Sequence, residues 1–338
     1  MTPISSLGEF GLISKLTAGF PKFHSSTIKG VGDDSAELNA GGKQILVSTD
    51  LLVEGIHFDM MYTPLKHLGY KAVVVNLSDI YAMNAIPEQI TVSIALSSKY
   101  TVEAVSEIYE GILHACNAYK VDLIGGDTTS SINGLVISVT AIGYAEKEKI
   151  VYRSGAKEGD LICVSGNLGA AYLGLQLLER EKRIFLENSD VEPDLEDEDF
   201  LIRRHLKPEA RKDVIQFFDE MNIVPTAMID VSDGLSSDLI HICTQSKVGC
   251  EIQEAYVPLS EEMYQRAIKF NLDPITCALS GGEDYELLFT IDNEDETKVA
   301  DHPDIQIIGQ VVNISEGKTL MTKGGNKHQL TAQGWKHF

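Results

Sequence analysis

Aspartate recurs along this chain where apolar segments meet glycine, serine or threonine. Any fold it adopts must bring those carboxylates to places where their charge is balanced. The sites are GVGDD (30–34), VSTD (47–50), NLSD (76–79), LIGGDTTS (123–130) and IDVSDG (229–234), and SGGEDYE (280–286) adds Glu283 and Asp284. One such aspartate is what a helix cap or a turn uses. Five, each ending an apolar segment, are not explained by capping alone. Asp79 is the sharpest case, because it lies inside the apolar stretch VVVNLSDIYAM. An uncompensated carboxylate there is costly, so a metal ion or a strong hydrogen-bond network has to balance it. Ser48 and Thr49 add oxygen donors. Loops at strand ends are where sheet proteins commonly place their sites.

Around these positions strand-like and helix-like segments alternate. QILVST (44–49) reads as a buried strand, and 65–85 as a helix that is apolar on nearly every side. Residues 89–96 are strand-like, 101–119 an amphipathic helix, and 121–126 and 135–145 strands. Residues 146–160 are polar and turn-rich, a candidate linker. Beyond it, 161–166 reads as a strand and 167–179 as a helix entered through a glycine turn. Residues 227–245 read as strand, turn and helix, and 283–291 and 305–312 as strands. The class is α/β, or α+β with mixed sheets. A length of 338 residues exceeds what one core usually covers, so two domains are expected, 1–148 and 149–338.

Composition narrows the chemistry. Net charge is -22, from 50 acidic and 28 basic residues, so a nucleic-acid backbone is not an expected partner. Part of that acidity is a stretch without periodicity, 188–200, which reads as an exposed loop. The apolar runs are too short to span a bilayer, and the N-terminus lacks the pattern of a signal peptide. The expected location is therefore the cytoplasm. Cys116, Cys163, Cys243, Cys250 and Cys277 form no CxxC pair and read as reduced, mostly buried thiols. Carboxylate, hydroxyl and carbonyl oxygens suit Mg²⁺ or Ca²⁺ rather than softer metals. Clustered aspartates would repel ATP unless cations intervened, so several Mg²⁺ ions bridging carboxylates to polyphosphate are expected. There is no GxxxxGK[ST], no protein-kinase motif set and no GxSxG, which argues against those enzyme classes.

The segments GVGDDSAEL, STDLLVEGIHF, YKAVVVNLSDIYAMNA, IGGDTT, RSGAKEGD, IDVSDGLSSDL and LSGGEDYELLFT resemble the motifs of bacterial thiamine-monophosphate kinases, in the expected order from GEF (8–10) to GWKHF (334–338). That family shares a superfamily with aminoimidazole ribonucleotide synthetase and selenophosphate synthetase. The resemblance implies a two-domain aminoimidazole ribonucleotide synthetase-like fold. Its N-terminal domain binds ATP and magnesium and forms a β-barrel across a homodimer, and its C-terminal α/β domain closes a cleft. It implies magnesium ligation by Asp34, Ser48, Thr49, Asp50, Asp79, Asp127, Asp230 and Asp233. It implies ATP contacts from Tyr109, Gly126, Asp127, Arg153 and Ser232, and thiamine monophosphate contacts from His57, Glu283 and Trp335. Asp50 and Asp127 would act on the reaction through magnesium, and no general base is assigned. The implied activity is ATP-dependent phosphorylation of thiamine monophosphate. A ligase of the aminoimidazole ribonucleotide synthetase type and a non-catalytic nucleotide-binding protein are the alternatives. A selenophosphate synthetase would need a reactive residue in its N-terminal segment, whereas no cysteine precedes Cys116.

Overall fold

The structure, a computed structural model, describes residues 12, 15–29 and 37–332; Asp34 and Trp335 lie outside them. The chain divides into two compact units, residues 1–149 and 150–338.

In the first unit, β1 (Thr27–Lys29) pairs with β2 (Glu37–Leu38). A four-stranded sheet is built from β3 (Gln44–Val53), β4 (Ile86–Leu96), β5 (Asp122–Ser130) and β6 (Val136–Ala145). Its order is β3-β6-β4-β5, which leaves β3 and β5 at the edges. The β3–β6 and β6–β4 pairs are antiparallel, and β4–β5 is parallel. Helix α1 (Leu65–Ala82) packs on β3, β4 and β6, and helix α2 (Val102–Tyr119) packs on α1. The two helices meet backbone to backbone. A Cβ on Gly69 would lie 1.9 Å from the Ile108 carbonyl oxygen, and one on Gly111 2.0 Å from that of Lys66. Only glycine permits that approach. It lets α1 sit deep enough for both Asn76 and the run Val73–Val75 to be buried.

The run at 44–49 is not the buried strand its composition suggests. β3 is an edge strand with one covered face, carrying buried Leu46 and Leu52. Its other face carries Ile45, Val47 and Leu51, exposed at 53%, 64% and 52%. An apolar run shows that a strand has two apolar faces; it does not show that the same chain covers both.

In the second unit, β7 (Leu161–Ser165), β8 (Ala227–Asp230), β9 (Gly249–Gln253), β10 (Leu287–Ile291), β11 (Ile305–Val312), β12 (Lys318–Met321) and β13 (Lys327–Gln329) form a mixed sheet ordered β13-β12-β9-β11-β7-β10-β8. Helices α3 (Ala170–Glu187), α4 (Asp199–Leu206), α5 (Lys212–Glu220), α6 (Leu235–Ser246), α7 (Glu261–Lys269), α8 (Pro274–Ser280) and α9 (Glu296–Val299) accompany it. One core includes Val164, Leu173, Ile229, Leu239, Ile252 and Leu288. The strand expected over 283–291 begins only at Leu287. Gly282, Glu283 and Tyr285 have φ of 72°, 58° and 52°, a left-handed path that no strand can follow. The acidic stretch is largely exposed, but its end is fixed: Glu198 is buried in an ion pair with Arg266, and α4 starts at Asp199. All five cysteines are buried free thiols. Among the described residues no helix is long and apolar enough to cross a membrane.

Candidate active site

In the first unit, the covered face of β3 and the facing side of α1 bring four polar residues together. Strand alternation puts Ser48 and Asp50 on one face of β3. The Ser48 hydroxyl donates to Asp79 Oδ2 in a short hydrogen bond. The Asp50 backbone N–H donates to Asn76 Oδ1 at 2.8 Å, and Asn76 Nδ2 donates to the Ala72 carbonyl at 3.0 Å, which fixes the amide's orientation. Burial, and then the charge of Asp79, push the Asp50 carboxyl up to about 6. Two half-buried carboxylates that repel each other beside a hydroxyl are a hard-oxygen donor set of the kind Mg²⁺ takes. Asp50 and Asp79 do not lie at segment ends. Asp50 is inside a ten-residue strand and Asp79 inside an eighteen-residue helix.

Other expected residues of this unit are placed apart from that group. The Thr49 hydroxyl is on the opposite face of β3; it donates to the Val139 carbonyl at 3.0 Å and accepts from the Thr140 hydroxyl at 3.0 Å. Asp127 is exposed on β5, and its Oδ1 accepts from the Thr128 N–H at 2.9 Å. The register aligns Asp50 with Val139, Val92 and Gly126 in one row across the sheet. Gly126 is therefore about 14 Å from Asp50, three inter-strand spacings of about 4.8 Å. Asp127, one residue on, shares its row and face with Ser93, Ser138 and Leu51, opposite to the face of Asp50. Gly126 also has a packing reason, since a Cβ there would lie 1.8 Å from the Val92 carbonyl oxygen. Tyr109 is buried in α2, its ring edge-on to Phe20 at 6.4 Å, and burial pushes its phenol up to about 12. His57 follows β3 in a turn closed by its own N–H on the Val53 carbonyl at 2.9 Å. The Val53 N–H donates to His57 Nδ1 at 3.1 Å, so the neutral ring carries its proton on Nε2.

In the second unit, β8 ends at buried Asp230, and the turn after it is laced to the 281–286 loop. Val231 N–H donates to the Glu286 carbonyl at 2.7 Å, Tyr285 N–H to that of Val231 at 2.9 Å, and Glu283 N–H to that of Ser232 at 2.8 Å. Helix α6 follows, with Gly234 as its N-cap at φ 111°. Asp238, in its first turn, accepts from the N–H groups of Asp233 and Gly234 at 3.2 and 3.1 Å. Burial, then the charges of Asp230 and Asp233, push the Asp238 carboxyl up to about 8. Asp238 is not among the residues expected from the sequence. The signal was a further acid five residues after Asp233 in IDVSDGLSSDL.

The acids of the 281–286 loop divide sharply. Fully buried Asp284 accepts from the N–H groups of Gly169 and Ala171, at 2.6 and 3.2 Å, at the start of α3. Burial raises its carboxyl to about 6, against the Arg204 charge 3.7 Å away. Glu286 accepts from Ser165 Oγ at 2.7 Å and pairs with Arg211 at 2.5 Å and Arg204 at 3.0 Å. Glu283 alone of the three is half-exposed, with its carboxylate 3.1 Å from His205 Nδ1. Arg153 is exposed beside the entering end of β8, where the Met228 N–H donates to the Tyr152 carbonyl at 3.0 Å. Among the described residues no three His, Cys, Asp or Glu side chains gather as a ready-made metal cage. The carboxylates are arranged as pairs and an N-terminal helical turn.

Residues 32–145 match the family described as AIR synthase related protein, N-terminal domain. Over 340 residues the chain is 37% identical to a thiamine-monophosphate kinase of Bacillus subtilis (strain 168), covering 98% of this chain and all of that protein. The chain belongs to the thiamine-monophosphate kinase family. Solved structures agree with that membership. A thiamine-monophosphate kinase from Stenotrophomonas maltophilia K279a superimposes with a TM-score of 0.78 at 29% identity, covering 94% of this chain and 95% of its own. AaThiL complexed with AMPPCP and TMP superimposes with a TM-score of 0.76 at 34% identity, covering all of this chain and 99% of its own. The mixed α/β fold is thus that of thiamine-monophosphate kinases throughout both units.

Proposed function

We propose that this protein transfers the γ-phosphoryl group of ATP to thiamine monophosphate, forming thiamine diphosphate, by direct in-line displacement. The observation that carries the reading is near-full-length similarity to a kinase family with a member complexed with AMPPCP and TMP. The acceptor is a phosphate monoester whose second pKa is about 6, so it is largely dianionic at neutral pH and needs no base. That fits a site whose expected residues are oxygen donors rather than proton carriers.

Ser48, Asp50, Asp79 and Asp127 of the first unit and Asp230 and Asp233 of the second are assigned to magnesium, together with Asp34 and Thr49. Asp238 supports this set by holding the 233–234 backbone. Magnesium, when bound, neutralises the polyphosphate charge that these acids alone would repel. Tyr109, Gly126, Arg153 and Ser232 are assigned to ATP. His57, Glu283 and Trp335 are assigned to thiamine monophosphate: a carboxylate attracts the thiazolium cation and an indole stacks on an aromatic ring. The first unit is assigned ATP, magnesium and dimerisation, and the second the remainder of the substrate contacts. A homodimer, with its barrel built across the two copies, is supported by the open apolar face of β3, since Ile45, Val47 and Leu51 form a stripe beside an unpaired strand edge. The opposed placement of Asp50 and Asp127 supports it too. The pathway belongs to the cytoplasm.

The test is incubation with ATP, Mg²⁺ and thiamine monophosphate, followed by chromatography. Thiamine diphosphate is expected, with no phosphorylation of free thiamine, whose alcohol no assigned group activates. Phosphorylation of thiamine alone overturns the assignment. Equal ATP affinity with and without a chelator, measured by calorimetry, removes magnesium from it.

A further inference from the structure

Asn76 lies between Val75 and Leu77 in the apolar middle of α1, and it is 1% exposed. Asparagine is a weak helix former, and a buried amide is costly unless its hydrogen bonds are made. Both are made. Oδ1 accepts from the Asp50 N–H at 2.8 Å, and Nδ2 donates to the Ala72 carbonyl, one turn back, at 3.0 Å. The donor from β3 is a backbone N–H and the acceptor in α1 a carbonyl, so the amide has one orientation. The first bond crosses from helix to strand and ends on the backbone of Asp50. Asp79 stands three residues after Asn76, on the same side of α1. A second bond crosses the same gap, from the Ser48 hydroxyl to Asp79. Ser48 and Asp79 are both assigned to magnesium, so that bond competes with the metal for the same oxygens. The Asn76 bond uses no assigned ligand atom and stands with the metal or without it.

We infer that Asn76 is a positioning residue of the magnesium site: it ties the backbone of Asp50 to the helix that carries Asp79 and so sets the spacing of the two carboxylates. This rests on the kinase reading and deepens it. β3 is an edge strand, held within its sheet by β6 alone, and the repulsion between Asp50 and Asp79 pushes that edge and the helix apart. A tie from α1 supplies the hold that a second neighbouring strand would give. Groups behind a metal's ligands act in this way, by orienting the ligands before the metal arrives.

The experiment compares Asn76→Leu, which keeps the size and removes the acceptor, with Asn76→Asp, which keeps the acceptor, and Asn76→Ser, whose hydroxyl sits one bond short of Oδ1. Mn²⁺ is the probe, titrated with a non-hydrolysable ATP analogue present and followed by the spin-resonance signal of free Mn²⁺. Asn76→Leu and Asn76→Ser are expected to bind Mn²⁺ about tenfold or more weakly than the parent, the scale at which losing the support behind a ligand weakens a metal site. Asn76→Asp is expected to bind it no more than about threefold more weakly than the parent. Turnover lost in Asn76→Leu should return as Mg²⁺ is raised, because both carboxylates remain; in Asp50→Asn it should not. A folded Asn76→Leu with a lower melting point and the parent's Mn²⁺ affinity overturns the inference, since Asn76 then ties strand to helix for stability alone. Equal losses in the leucine and aspartate variants overturn it too, because the acceptor is then not what matters. If the leucine variant does not fold, the serine and aspartate variants decide by the same comparison, and equal affinities for the two overturn it. The parent's turnover of thiamine monophosphate is measured first. Its absence defeats the kinase reading itself, whereas the Mn²⁺ titrations still decide what Asn76 does for the metal.

Discussion

The two units handle buried carboxylates in opposite ways. Beneath the 281–286 loop, Glu286 and Asp284 are met by Arg204 and Arg211, so the protein supplies its own counter-charge. Beside β3, the Ser48 hydroxyl donates to Asp79, Asn76 takes the backbone N–H of Asp50 rather than its carboxylate, and burial and the charge of Asp79 push the Asp50 carboxyl up. Asp238 follows the second pattern, held by backbone N–H groups and raised by burial and then by its acidic neighbours. An arginine-paired acid is part of the scaffold. An acid raised by burial and by other acids gives up its proton more readily when a cation from outside arrives. Burial alone does not separate these roles; the partner does.

The largest effect expected from this contrast is on turnover. Asp50→Asn and Asp127→Asn each should lower kcat by at least about 10²-fold at saturating Mg²⁺, the scale of one lost electrostatic contact in a transition state. Thermal melts should show both folded, because asparagine relieves the repulsion between Asp50 and Asp79, and Asp127 is exposed. Turnover within threefold of the parent in both variants would make these aspartates structural and collapse the contrast.

Glu286→Gln should do the reverse. It leaves Arg204 and Arg211 facing a neutral amide in a buried place, and breaking such a pair costs about 3–5 kcal/mol. For a chain of this size the midpoint should fall by about 10 °C. Turnover of the folded protein at low temperature should fall far less than in Asp50→Asn. A melt unchanged from the parent means that the Glu286 pairs contribute nothing net.

Some of this division was legible in the sequence and some was not. β11 was expected over 305–312 and spans those residues. The helix over 65–85 was readable because its apolar character is continuous. β3 and β5 were cut short at their aspartates, since aspartate disfavours strands in general. Both strands continue through Asp50 and Asp127, because edge strands of this sheet put those side chains where they are not fully buried. Asp34 and Trp335 lie outside the described residues. The roles of Arg204 and Arg211 had no local signal. Arg211 and Glu286 are 75 residues apart, and only the fold pairs them. Asp238 was hidden for a different reason: an acid in the first turn of a helix is what a helix prefers anyway.

A smaller effect separates Asp238 from its neighbours by pH. A carboxyl pushed up to about 8 in the folded chain and near 4 unfolded binds its proton more tightly when folded. Its stabilising effect is therefore present below about pH 4 and lost as pH rises toward 8. Asp238→Asn mimics the protonated form. In chelator, the variant's advantage over the parent should grow between pH 5 and pH 8.5, with the melting-point difference at least about 2 °C larger at pH 8.5, the shift of roughly 1 kcal/mol in a chain of this size. A constant difference across that range means that Asp238 does not titrate there.

The smallest effect belongs to the exposed acidic stretch and calibrates the rest. Asp194 is exposed, and the hydrogen bond recorded for it, to Glu181 Oε2 at 2.9 Å, is donated by its backbone N–H, which asparagine keeps. Asp194→Asn removes one negative charge, as Asp50→Asn and Asp127→Asn do, so the three variants share net charge and differ only in where the charge was. Stability should change by no more than about 0.5 kcal/mol, as for most surface substitutions. Turnover should stay within about twofold. Arg266 feels the Asp194 charge, and its ion pair with buried Glu198 does not involve Asp194. A tenfold loss of turnover in Asp194→Asn would mean that acidity anywhere on this chain governs ATP-magnesium capture through the long-range field. In that case the losses at Asp50 and Asp127 could not be credited to local ligation. The comparison is made at two salt concentrations, because a field effect shrinks with screening and a ligand's loss does not.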